Sequence, residues 1–334
     1  MSTDAIRVRA PGRVNLIGDH TDYTGGLVLP MTIDRWTVIE GERVDGAIEL
    51  SSESEDEPLH VDLPVVDAAA IEPSWGRFVA GVAAEMGDDA HAVRGRVSTS
   101  IPIGAGLSSS AALEVAAALA LGFEGTPTAL AELCRRAEHR ASGVPCGIMD
   151  QLCIAAGVRG HALLIDCATL SIDPVHIPDE VTVVVQFVEH RKLDGSEYAT
   201  RVEECAAAEA IIGPLRMADP DLVDKIKDPV LRRRARHVVT ENQRVRDFTG
   251  AMRAGAYVTA GHLMLRSHAS LRDDFETSTP TMDAAVAAMA AIPGVYGARM
   301  TGGGFGGCVV GLVERGTPTP GWQVRPVDGA RLMT

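Results

Sequence analysis

Lysine is nearly missing from this chain: Lys192, Lys225 and Lys227 stand against 28 arginines in 334 residues. A Walker P-loop, which needs Lys directly after its last glycine, is thereby excluded at the glycine-serine run that would otherwise suit it, since the nearest lysine is more than eighty residues away. Short-spaced cysteine pairs are lacking too. The six cysteines, at 134, 146, 153, 167, 205 and 308, are scattered, which argues against a disulfide scaffold or a zinc ribbon and for reduced thiols in a cytoplasmic setting. MSTDAIRVRAPG has no basic-then-apolar secretory pattern, and no apolar run is long enough to cross a bilayer. The best candidate, Ala111 to Phe123, is short and carries Glu114. Positive charge is in deficit. A net charge of -14 and a pI near 5.1 would repel nucleic acid and anionic membranes alike, so neither is expected as a partner. The one dense basic run, Arg232-Arg233-Arg234 with Arg236, reads as a solvated helix face. Internal repeats and low-complexity tracts are absent.

What is present is apolar material for a large core, 46% of residues, which suits two intimately packed domains. Turn-punctuated strand patterns run from Ile6 to about Leu63 (IRVRA, RVNLIG, LVLPMTI, TVIEGERV, AIELSS). Residues 74–86 look helical, VRGRVSTSIPI alternates as a strand ending at Pro102, and SSSAALEVAAALALGF is a strong helix with serines placed to cap it. TALAELCRRAEHRA is a second helix, ending at Ser142-Gly143. HALLIDC and VTVVVQFV are strands, and the second half is mainly helical until PGVYGARM, a glycine loop and CVVGLV, which form a hairpin pattern. The proline-rich tail after Arg315 reads as a last strand or a frayed end.

Three stretches carry chemistry. In PIGAGLSSSA, residues 102–111, glycines between a strand and a helix let backbone N-H groups converge where the helix dipole is positive, an anion site suited to phosphate; an ordinary N-cap or a flexible connector is the alternative. A triphosphate there would be met by backbone amides, Mg²⁺ and arginine. In PGRVNLIGDHTDYTGGLVLP, a tight turn gathers Asp19, His20, Asp22 and Tyr23, donors and acceptors of the kind that grip vicinal hydroxyls, with Arg13 placed to sit across from them. A three-ligand metal site is disfavoured because adjacent residues on extended backbone point in different directions; a solvated loop with an Asx-turn at Asp22 is the other reading. In TGGGFGGC, residues 301–308, five glycines exceed what a hairpin turn needs, so the backbone must approach something closely, and the glycine-serine run is the expected neighbour. Asp150 in CGIMDQ caps a helix or does chemistry, and Glu138 is a surface charge or a ligand.

In this order the stretches resemble the superfamily of small-molecule kinases named for galactokinase, homoserine, mevalonate and phosphomevalonate kinases (GHMP). GRVNLIGDHTDY resembles the galactokinase signature, PIGAGLSSSAALE the superfamily's ATP loop and MTGGGFGGC its C-terminal glycine motif. CGIMDQ, SEYATRVEEC and SHASLRDDFETSTPTMD are also similar to galactokinases, so the likeness runs from about Ala10 to Val313. The resemblance implies an α/β (α+β) chain with an N-terminal ribosomal-protein-S5-like domain, residues 1–180, and a C-terminal ferredoxin-like domain, residues 181–334, with the active site between them. It implies ATP-dependent phosphorylation of a sugar's anomeric hydroxyl. Asp150 and Arg13 would be catalytic; Arg13, Asp19, His20, Asp22, Gly147, Asp150 and Tyr198 would hold the sugar. Pro102, Gly104, Gly106, Leu107, Ser108, Ser109, Ser110 and Ala111, with Gly303 and Gly304, would hold ATP, and Ser109, Ser110 and Glu138 would place Mg²⁺. A cytoplasmic monomer is expected.

Three departures from the family pattern bear on the substrate. Position 19 is usually Glu, which reaches the hydroxyl on the sugar's sixth carbon, and Asp19 is one methylene shorter. The pair usually reading Arg-His is His190-Arg191, and the segment from Leu50 to Trp75 is short, so a loop over the sugar is expected to be trimmed. Galactose is the expected substrate, a related sugar such as L-arabinose or N-acetylgalactosamine the alternative. A non-catalytic sugar and ATP sensor is the reading from another class, opposed by the intact Ser108-Ser109-Ser110, Asp150 and Arg13.

Overall fold

The computed structural model describes residues 5–190 and 196–333, with the side chain of Ser196 left aside. The chain begins with β1 (Ala5–Asn15), whose burial alternates at first and then becomes continuous from Ala10, because the strand passes from a half-exposed sheet face into a doubly covered centre. The two separate strand patterns expected here form one strand with a register shift at Pro11/Gly12. That irregularity is where β1 meets the glycine-serine loop: Arg13 N donates to Leu107 O at 3.2 Å, and a Cβ on Gly12 would lie 3.0 Å from the same oxygen.

After the sugar-type turn come β2 (Leu27–Val28), β3 (Pro30–Val44), β4 (Ile48–Ser52) and β5 (Leu59–Val61). Helix α1 (Gly76–Met86), β6 (Ala92–Thr99), α2 (Ser109–Ala120), α3 (Pro127–Ser142) and α4 (Met149–Ala156) follow. Next are β7 (His161–Asp166), β8 (Ser171–His176) and β9 (Val181–Glu189), then α5 (Ser196–Ile212), α6 (Pro220–Val223), α7 (Pro229–Arg253), α8 (Tyr257–Asp273) and α9 (Pro280–Ala290). The chain closes with β10 (Val295–Thr301), β11 (Gly307–Glu314), β12 (Trp322–Val324) and β13 (Arg331–Leu332).

These strands make a six-stranded sheet ordered β13-β1-β3-β6-β4-β5, a four-stranded sheet ordered β10-β11-β9-β12 and a small sheet β2-β7-β8. Ala-rich α2, whose buried face includes Val115 and six alanines, packs against β1 and β3, where small side chains allow close approach to the sheet. On the second sheet, α8 and α9 lie against β10, with Gly261 facing Gly297 so closely that a Cβ on either would strike the other's backbone. The tail includes a strand: β13 returns to the first sheet beside β1, so Arg331 and Leu332 sit with the chain's first half.

The basic run on α7 is only in part the solvated face its composition suggested: Arg236 is exposed and Arg232 and Arg233 are half-buried, but Arg234 turns inward. Arg234 is 2% exposed and bonds Glu204 at 2.7 Å, Glu276 at 2.7 Å and the Asp274 carbonyl at 2.6 Å. A guanidinium is tolerated there because its donors meet two carboxylates and a carbonyl that fix the corner after α8. Among the described residues no helix is long and apolar enough to cross a membrane.

Candidate active site

The glycine-serine run does what its sequence demands. Gly104 and Gly106 take φ of 73° and 75°, and Ser108 takes φ 62°, so three left-handed positions bend the loop over the start of α2. Ser108 occupies the N-cap position but caps nothing with its side chain. Its hydroxyl instead donates to Asp150 Oδ2 at 2.5 Å. The predicted capping role fails because the left-handed backbone turns the hydroxyl away from the α2 amides.

Asp150 likewise does not cap α4. Its carboxylate accepts Arg13 Nε on one oxygen and Arg13 Nη2 on the other, both at 2.7 Å, a fork that fixes both groups. Arg13 Nη1 donates to the Gly106 carbonyl at 2.7 Å, so one guanidinium joins β1 to the glycine-serine loop and Asp150. Burial would lower the pKa of Arg13, but the charge and hydrogen bonds of Asp150 outweigh it and hold it above its usual value.

Glu138 is no surface charge. It accepts Ser110 Oγ at 3.2 Å and Gln151 Nε2 at 2.5 Å, with Cys146 Sγ 3.7 Å away. Desolvation first, then the negative charge of Asp150, raises its pKa to about 7. Asp22, half-buried at the start of a short 3-10 turn, is raised to about 7 by desolvation and by Asp150 in the same way. Gly147 is needed beside it, because a Cβ there would overlap the Asp22 carboxylate.

His20 has φ 64°, and its Nδ1 lies 3.1 Å from the Tyr23 hydroxyl, with the ring against Phe275 and Tyr198 at 4.7 and 5.5 Å between centroids. Asp19 is 1% exposed: Oδ1 accepts Gly302 N-H at 3.0 Å and Oδ2 lies 2.6 Å from Arg299 Nη2. The C-terminal glycine loop meets the glycine-serine run as expected, for a Cβ on Gly302 would lie 3.0 Å from Gly106 O.

These residues line one cavity of about 460 Å³. Of the predicted site residues, Arg13, Asp19, His20, Asp22, Gly104, Gly106, Ser108, Ser109, Ser110, Glu138, Gly147, Asp150, Tyr198 and Gly303 face it. Pro102, Leu107, Ala111 and Gly304 do not. Leu107 and Ala111 are buried packing residues, and Gly304 sits behind the loop, where a Cβ would meet the Thr277 carbonyl.

A second, mostly apolar cavity of about 240 Å³, walled by Thr37, Trp75, Phe78, Val97 and Leu113, meets the first at Ser109 and Ser110. Reading the sequence missed it, since its walls come from five separate segments, of which only PIGAGLSSSAALE is a motif. Ser52, Ser54, Glu55 and Trp75, within or at the end of the short 50–75 segment, line this cavity instead of the sugar-type turn. Gln151 and buried Glu114, 3.1 Å apart, were missed as well; the only clue was that both are polar positions in apolar helices. His190 lies beside the loop, with Nδ1 3.7 Å from where a Gly104 Cβ would be, and Arg191 falls outside the described residues.

A mixed α/β fold whose two glycine loops converge on an arginine-carboxylate pair, with no lysine at the anion site, defines a GHMP-type small-molecule kinase. The GHMP kinase N-terminal domain matches residues 77–158, the GHMP kinase C-terminal domain residues 248–318, and the galactokinase galactose-binding signature residues 2–43. Galactokinase of Homo sapiens is 44% identical over 333 residues, 92% of this chain and 84% of that protein, and galactokinase of Roseiflexus sp. 42% over 334 residues, 93% and 84%. The crystal structure of Lactococcus lactis galactokinase complexed with galactose superposes with a TM-score of 0.88 at 29% identity, covering 98% of this chain and 95% of that one. Mevalonate kinase of Methanococcus jannaschii shares the fold, with a TM-score of 0.71 at 20% identity over 98% and 100% of the two chains. The chain belongs to the galactokinase family.

Proposed function

We propose that this chain transfers the γ-phosphoryl group of ATP to the anomeric C1 hydroxyl of D-galactose, giving galactose 1-phosphate and ADP. The observation that carries the reading is the Arg13–Asp150 fork, set in one cavity between the acidic-aromatic turn and the two glycine loops. A carboxylate offers about four acceptor positions. Arg13 and Ser108 take three of those on Asp150, leaving one for the sugar hydroxyl, whose attack is thereby aimed. Arg13 also stands where negative charge grows on the transferred group. Asp19, His20, Asp22, Gly147 and Tyr198 hold the remaining hydroxyls.

Backbone amides of residues 104–110 and the N-terminus of α2 receive the phosphates, with Gly303 closing from the other side. The apolar cavity beside Ser109, bounded by Trp75 and Phe78, suits the flat base of the nucleotide. Mg²⁺ fits the oxygen donors Ser110 and Glu138. Two protein oxygens suffice where phosphates complete the shell. When bound, Mg²⁺ neutralises phosphate charge. The division into units 1–180 and 181–334, a monomeric state and a cytoplasmic location belong to the same reading.

Purified protein with Mg²⁺-ATP and galactose, 2-deoxygalactose, N-acetylgalactosamine, L-arabinose or glucose should release ADP fastest with galactose. Turnover confined to another sugar would keep the chemistry and replace the substrate, and binding without turnover would make the chain a sensor.

A further inference from the structure

Arg299 lies on β10, outside every motif of the sequence, and is entirely buried. Its Nη2 stands 2.6 Å from Asp19 Oδ2 as an ion pair, while among the described residues none of Nε, Nη1 and Nη2 has an aligned hydrogen-bond partner. A buried guanidinium held by one carboxylate contributes little to stability, because desolvation offsets the attraction. It does fix direction. The other Asp19 oxygen is taken by Gly302 N-H, and the Asp19 carbonyl by His237 Nε2 at 3.1 Å. His237 is buried and its pKa is lowered to about 4, so it stays neutral and donates from Nε2 to this carbonyl. The turn that faces the cavity is therefore tethered from behind at three atoms of one residue, by two C-terminal strand-and-loop positions and by α7.

We infer that Arg299 is a positioning residue of the sugar site, acting through Asp19: it sets where the Asp19 carboxylate, and with it the His20–Tyr23 turn, stands against the sugar. This rests on the proposed galactokinase reading. Without Arg299 the carboxylate is free to leave Gly302, and the sugar end of the cavity loses its shape, while the phosphate loop, anchored by Arg13 and Gly106, keeps its own.

Calorimetric titration of galactose and of ATP into the wild type, Arg299→Met and Arg299→Lys, beside thermal melts, tests this. Loss of a charge-assisted contact is expected to weaken galactose binding in Arg299→Met by about tenfold or more and ATP binding by less than about twofold, with Arg299→Lys recovering part of the loss. Galactose affinity unchanged while the melt falls, or both ligands weakened equally, would overturn the inference, the former leaving a purely structural ion pair. Should Arg299→Met not fold, Arg299→Lys decides: selective weakening of galactose upholds it and unchanged affinity defeats it. A wild type that binds no galactose defeats the functional reading itself, a result distinct from a wild type that binds and a variant that binds equally well.

Discussion

Arg13 and Asp150 are unequally buried, with side chains 5% and 28% exposed, and the asymmetry separates two otherwise similar substitutions. Asp150→Ala leaves a buried guanidinium with only the Gly106 carbonyl, at a cost of about 3 kcal/mol, whereas Arg13→Ala leaves a carboxylate that water can reach, at about 1 kcal/mol. Both should lower kcat by roughly a hundredfold or more, because each acts on the reacting hydroxyl or on developing charge. Steady-state kinetics beside urea melts check this: equal melts would contradict the burial argument, and near-normal kcat would remove the proposed roles.

Asp22 offers a second test at the same scale. Its folded pKa of about 7 lies above the usual carboxylate value, so the folded protein holds this proton more tightly than the unfolded chain does. The stability Asp22 contributes is therefore fully present below about pH 4 and is lost as pH rises to about 7. Relative to Asp22→Asn, the wild type should lose ground across that window and level off above it. A pH-independent difference between their urea midpoints would contradict the raised pKa.

At the scale of elements, the loops matter through how closely they approach. Gly302 has φ 83° and faces Gly106 O, so Gly302→Ala meets both a strained backbone and a crowded neighbour. About 1–2 kcal/mol of stability should go, and the ATP KM should rise severalfold as the loops part. An ATP KM unchanged from wild type would show that the two loops need not touch. Sequence reading reached these elements where one local pattern sufficed: α3 ends at Gly143 with φ 71°, as read, and begins one residue before the expected Thr128, with Thr126 as N-cap, its Oγ1 accepting Ala129 N-H at 3.1 Å.

The same reading named Arg13, Asp150 and both glycine loops, because each lies within a compact motif, and Glu138, which lies in none, through the resemblance alone. It offered the serines before α2 as caps, whereas the Ser108 hydroxyl meets Asp150, 42 positions away. Arg299, Gln151 and the Trp75–Phe78 wall escaped for the same reason: their partners are set by how sheets and helices pack. A buried arginine in an otherwise apolar strand, as in PGVYGARM, is the one kind of sequence signal that points to such a partner.

At the scale of the whole molecule, residues 326–330 bind the parts of the cleft that carry Asp150. Gly329 N donates to Gly157 O at 2.8 Å and Ala330 N to Ile154 O at 2.8 Å, both at the far end of α4. Thr32 Oγ1 donates to Val327 O at 2.5 Å, and Gly160 N to Pro326 O at 3.1 Å. A chain that crosses to the second sheet and returns in this way closes a long loop around the site. Its ends hold β1, with Arg13, and α4, with Asp150, in one frame. Removing residues 325–334 deletes these bonds, each worth about 1 kcal/mol net, and bares the Gly157 turn to water. The melt should fall by several degrees, since about 1 kcal/mol shifts a chain of this size by roughly 2 °C. Catalysis should suffer beyond the lost stability: at a temperature where the truncated protein is still folded, kcat should drop severalfold, because α4 can tilt and spread the Arg13–Asp150 fork. A truncated protein with a lower melt but full kcat would mean that α4 is held by its own packing against α2 and α3, and that the returning tail only seals the sheet edge beside β1.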